Sequence, residues 1–122
     1  MSHIVTIATE VRDETAVNAA CRRLALDPPV PGTHKLFRSK ATGLAVRLPG
    51  WQFPAVFDTK AGQVRFDNFN GHWGEQIQLD RFLQAYAVEK ATLEARRKGH
   101  VVSERTLADG SIHLTVIVGG AA

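Results

Sequence analysis

Alternation opens the chain. From Ser2 to Val11, Ile4, Thr6 and Ala8 fall on one side and Val5, Ile7 and Thr9 on the other, and this β-branched, period-two run predicts a strand. Asp13 offers an N-cap, and Glu14 places a carboxylate in the first turn, where the helix dipole favours it. Val17, Ala20, Cys21 and Leu24 then form one apolar stripe, which predicts a helix from Glu14 to Ala25. Asp27-Pro28-Pro29 ends it, because proline donates no amide and restricts the residue before it.

Between Val30 and Gly74, glycine and proline punctuate four predicted strands at Lys35–Arg38, Gly43–Leu48, Pro54–Asp58 and Gln63–Phe66. In the second of these, Leu44, Val46 and Leu48 share a face while Ala45 and Arg47 take the other, the pattern of a half-buried antiparallel strand. Thr59-Lys60-Ala61-Gly62 reads as a hairpin connection, and Phe53, Phe57, Phe66 and Phe69 bring most of the apolar area. A second helix is predicted over Leu79–Lys98, with Leu79, Phe82, Leu83, Tyr86 and Leu93 along one side. Gly99 stands where a left-handed residue closes a helix. Val101–Leu107 and Ile112–Val118 then flank Ala108-Asp109-Gly110-Ser111 as a hairpin, with Ile112, Leu114, Val116 and Val118 expected on its apolar face.

The resulting order, β-α-β-β-β-β-α-β-β, predicts an α+β fold: a mainly antiparallel sheet with two helices on one face. Residues 1–118 are expected to make a single domain, with 119–122 a frayed tail. A length of 122 residues supports one core. No apolar run reaches the ~20 residues of a membrane span, so no membrane association is expected. The start of the chain lacks the pattern of a secretory signal, and a lone cysteine suits a reducing, cytoplasmic setting.

Charge adds one feature. The net +3 arises before Gly62, where eight Lys/Arg face five Asp/Glu; beyond it the two signs balance at seven each. The one dense basic cluster is Arg96-Arg97-Lys98, followed by His100 and Arg105. It complements the negative end of the second helix, and it is also a candidate anion contact. Nucleic-acid binding is not indicated, because such proteins show a stronger, one-faced excess.

No constellation points to catalysis. The five histidines lack helical metal spacing, Gly-x-Ser-x-Gly and phosphate-loop motifs are absent, and Cys21 lies on a core stripe. No metal or cofactor is expected. The densest unusual stretch is Leu48-Pro49-Gly50-Trp51, then Asp67 through Glu75. Aromatic rings in Gly/Pro loops suit a binding edge, so Trp51, Asp67, Asn68, His72 and Trp73 are the candidate partner or ligand contacts. The competing account has the indoles capping the core and Asp67, Asn68 and Asn70 satisfying loop amides. Of the two indoles, Trp51 is expected nearer the surface, because it follows a turn, and Trp73 is expected to anchor the helix.

Several separated motifs also resemble one family. Met1-Ser2-His3 with Ile7 and Thr9, the Gly99 stop and the Asp109-Gly110-Ser111-Ile112 turn are similar to the hypothetical chloroplast reading frame thirty-five family, a domain of unknown function in plastids, cyanobacteria, other bacteria and phages. Leu48-Pro49-Gly50-Trp51, Asp67-Asn68-Phe69 through Trp73-Gly74, and Tyr86-Ala87-Val88-Glu89-Lys90 resemble its bacterial and phage branch. The resemblance supplies no catalytic residues. It implies an accessory subunit beside an ATPase of the AAA type.

Two function classes follow. The first is a small cytoplasmic binding or adaptor protein acting through a protein partner. The second is a protein that binds or hydrolyses an anionic small molecule such as a nucleotide, held by Arg47, Arg65 or Arg96–Lys98. Free hairpin edges also leave homodimer formation open.

Overall fold

The computed structural model describes residues 5–8 and 10–118. The elements are β1 (Val5–Ala8), α1 (Glu14–Arg23), β2 (Val30–Lys35), β3 (Lys40–Val46), β4 (Ala55–Asp58), β5 (Gln63–Phe66), α2 (Gln76–Arg97), β6 (Val101–Thr106) and β7 (Ile112–Ile117). This is the α+β order read from the sequence. The outer parts of the first predicted strand, at 2–4 and 9, and the tail at 119–122 lie outside the described residues.

Five strands form one sheet in the order β1-β5-β4-β3-β2, with every neighbouring pair antiparallel. Strands β2 to β5 meander, and β1 returns to the far side of β5, pairing Val5 with Phe66 and Ile7 with Val64. Period-two alternation sends Leu44, Val46, Ala55, Phe57, Val64 and Phe66 into one core with Val17, Ala20 and Cys21 of α1 and Leu79, Phe82 and Tyr86 of α2. Phe57 and Phe82 meet with ring centroids 5.1 Å apart. Each such side chain contributes about 1.5–3 kcal/mol on burial. The other sheet face carries a smaller cluster of Leu36, Ala41, Ala45 and Val56, with Phe53 against it.

Capping fixes where α1 begins and where both helices end. The Asp13 carboxylate accepts from the Ala16 amide at 3.2 Å and from Lys90 Nζ of α2 at 3.2 Å. The Tyr86 hydroxyl accepts from the amides of Arg12 and Asp13, each at 3.2 Å, and ties the start of α1 to α2. Both helices close with the same paired bonds: Leu26 N–H to Cys21 O and Ala25 N–H to Arg22 O in α1, His100 N–H to Ala95 O and Gly99 N–H to Arg96 O in α2. The left-handed residue is Gly99 (φ +79°) in one and Ala25 (φ +56°) in the other.

Several boundaries differ from the sequence reading. Strand β3 runs Lys40–Val46, not Gly43–Leu48, because Lys40, Ala41 and Thr42 pair with Lys35, His34 and Thr33 of β2. Glu10 and Val11 lie outside β1. Strand β2 occupies Val30–Lys35, not Lys35–Arg38, because 36–39 is the turn into β3, closed by Leu36 N–H to Ser39 O at 2.8 Å. Pro31 is tolerated there because β2 is an edge strand. Helix α2 begins at Gln76, three residues before Leu79; its first turn is Gln76-Ile77-Gln78, and Ile77 is exposed, off the buried stripe that begins at Leu79.

Strands β6 and β7 form a separate two-stranded sheet, with Val101 opposite Ile117, Ser103 opposite Thr115 and Arg105 opposite His113. It doubles back along α2, where Gln84 Nε2 donates to the turn carbonyl of Gly110 at 3.2 Å. Arg23 at the end of α1 bridges Glu89 of α2 and Glu104 of β6.

Candidate functional site

The segment from Asp67 to Glu75 closes on itself. Phe69, Asn70 and Gly71 all take positive φ (+49°, +53° and +93°), an unusual run that turns the chain sharply after β5. The Asn68 carbonyl accepts from the amides of Gly71 and Trp73 at 3.0 and 2.9 Å, and its side-chain amide donates to Gly74 O at 3.1 Å. Asp67, 1% exposed, accepts from the Phe69 amide at 3.2 Å.

The two indoles fall opposite to expectation. Trp51 is 8% exposed, packs on Phe66 at 5.4 Å and donates its Nε1–H to Glu75 O at 3.0 Å. Its following turn lies at the surface, but the ring folds back over Gly74 into the core. Trp73 is the half-buried one, set among Phe37, Phe53 and Phe69 at 5.0, 5.7 and 4.9 Å. His72 is exposed and lies 5.0 Å from the Phe69 ring. So Trp51, Asp67 and Asn68 are buried with their polar groups bonded inside the loop, while His72 and part of Trp73 reach solvent. The five sequence candidates share one loop system, but they do not present one common surface.

The basic candidates are open. Arg96, Arg97, Lys98 and Arg105 are exposed and form no ion pair among the described residues, in contrast to Arg12, Arg23 and Lys90. Arg65 lies between Val64 and Phe66 and so faces away from the helices, which separates it from the Arg96–Lys98 cluster. Cys21 is buried, and desolvation pushes its thiol up to about 11, which keeps it protonated and unreactive. Among the described residues, no group of three or more His, Cys, Asp or Glu is placed to hold a metal ion, and no helix is long and apolar enough to cross a membrane.

The least satisfied surface is the β6–β7 hairpin. Its inner face, with Ile112 and Leu114 half-buried and Glu104 bound to Arg23, rests against the helices. Its outer face carries Val101 and Ile117 as a cross-strand pair, 59% and 54% exposed. Val116 and Val118, expected on the packed face, are 43% and 72% exposed. Of the seven strongly exposed large hydrophobic residues among those described, five (Val101, Leu107, Val116, Ile117 and Val118) lie on this hairpin. Four of them, Val101, Val116, Ile117 and Val118, gather at one end of the hairpin instead of scattering over the surface. One sequence signal pointed to it: Val116-Ile117-Val118 is three apolar residues in a row, and a strand buries only alternate ones on a single face.

No family model, curated protein or solved structure matches the chain.

Proposed function

We propose that this chain is a small, non-catalytic cytoplasmic adaptor that acts through a protein partner, which it engages with the β6–β7 hairpin. The exposed cluster of Val101, Val116, Ile117 and Val118 carries the reading. A two-stranded hairpin is at best marginally stable alone, and this one is held to the body by Arg23 and a few half-buried side chains. Leaving β-branched residues in water there is explained by a partner that covers them. The resemblance in the sequence supports an AAA-type ATPase as that partner and the hairpin chain as its accessory subunit.

The test is capture by the immobilised chain beside an Ile117→Asp variant, with the melting temperature of both recorded. The reading requires a partner that wild type retains, that the variant loses while still folded, and that binds again when both proteins are purified. Equal retention by the two forms removes the hairpin from the interface. Trp51→Ala is unsuitable as a control, because it empties a core position.

A further inference from the structure

We infer that the partner segment is an acidic, extended peptide that adds to the free edge of β7 as a third strand; this rests on the adaptor reading above. Three observations carry it. First, β7 has only β6 as a strand neighbour among the described residues, so its outer edge offers a row of backbone donors and acceptors. Second, Val116, Ile117 and Val118 are exposed consecutively, so both faces of that edge are apolar, as an added strand with side chains on both faces requires. Third, the surroundings are cationic. Val101, opposite Ile117, starts three residues after the Arg96-Arg97-Lys98 cluster, and farther along the same outer face Arg105 stands opposite His113. Arg96, Arg97, Lys98 and Arg105 form no close ion pair among the described residues; the nearby Glu94 carboxylate, which feels the charges of Arg97 and Lys98, is itself bridged to Lys90. The outward positions Val101, Ser103, Arg105, His113, Thr115 and Ile117 include no acid.

The same charges argue against other occupants. A second copy joined about a two-fold axis close to Ile117, where the apolar residues lie, sets the cationic cluster near its own image, which like-charge repulsion disfavours. Single-stranded nucleic acid is gripped by aromatic platforms, and the exposed side chains here are aliphatic. An acidic strand meets both features: its β-branched side chains cover Val116–Val118, and its carboxylates approach Arg96–Lys98.

Selection of a displayed random-peptide library on the purified chain tests this. The expected winners combine alternating β-branched residues with clustered Asp/Glu and are lost on Ile117→Asp. A synthetic winner is expected to bind about tenfold more weakly to the triple variant Arg96→Gln, Arg97→Gln, Lys98→Gln, which keeps good helix formers in place, and to weaken with added salt. Winners that are neutral or basic, yet still depend on Ile117, overturn the acidic segment and leave the adaptor reading standing. No enrichment at all counts against both. Self-association through Ile117, or tighter binding of a single-stranded oligonucleotide than of any peptide, overturns the proposal.

Discussion

The Trp51 indole rests directly on the backbone of Gly74: a methyl group placed at Gly74 would lie 2.5 Å from indole carbon Cγ. Real side chains do not approach that closely, so the loop before α2 and the ring after β3 are fitted to one another. Gly74→Ala must displace either the indole or the start of α2, and destabilisation of about 1–3 kcal/mol is expected. Urea unfolding followed by tryptophan fluorescence measures it; a midpoint equal to wild type would show that the two segments are not packed as described.

Ala25 and Gly99 occupy the same left-handed position in identical helix-closing motifs. An L-residue pays about 1 kcal/mol or more for that conformation, and glycine does not. Ala25→Gly is therefore expected to raise stability, by at most about 1 kcal/mol once the looser unfolded chain is counted. Gly99→Ala is expected to lower it. Paired thermal melts check both signs.

Acid should weaken the α1–α2 contact through Asp13. Burial by itself raises this carboxyl group's pKa, but the Ala16 amide, Lys90 and the Thr15 amide together outweigh it and hold the native value below the ordinary 3.8. A lowered native pKa gives stability that is present above 3.8 and lost as the pH falls through the native value. Asp13→Asn keeps an N-cap and removes the charge. The melting temperatures of wild type and variant should differ near neutral pH and converge in acid; a constant gap would contradict the pairing.

Arg23 is the ion-pair link between α1, α2 and the hairpin, reaching Glu89 and Glu104. Arg23→Gln should leave the main sheet protected while amides of β6 and β7 exchange faster with deuterium, because the hairpin opens locally before the body does. Uniform acceleration across β3 to β5 as well would mean that Arg23 holds the whole body together. Faster opening should also weaken any partner that binds the hairpin in its folded form.

Most of the fold was legible where a residue pattern has a single physical reading. Gln63–Phe66 alternates and forms β5 with those bounds, Asp13 caps α1, and Gly99 closes α2. Strand β2 was misplaced because Pro31-Gly32 reads as a breaker, and only its edge position, a tertiary fact, makes it acceptable. The exposure of the two indoles was inverted for a related reason. Local turn chemistry around Trp51 says nothing of where the ring goes, which depends on a glycine more than twenty residues later. The hairpin's open face was hidden because alternation identifies an apolar face without saying whether anything covers it. Val116 and Val118 carry the right period and are nevertheless exposed.

The pairing of β1 with β5 has a consequence during synthesis. Val5 finds its neighbour Phe66 only after about 60 further residues have been made, at roughly 5–20 residues per second on the ribosome. Strand β1 therefore leaves the exit tunnel on the order of several seconds before its partner exists, and α1 likewise precedes α2. Strand β1, with Val5, Thr6 and Ile7, must wait unpaired while the β2–β5 meander assembles locally. Chaperone protection of this newborn segment would matter most in that interval.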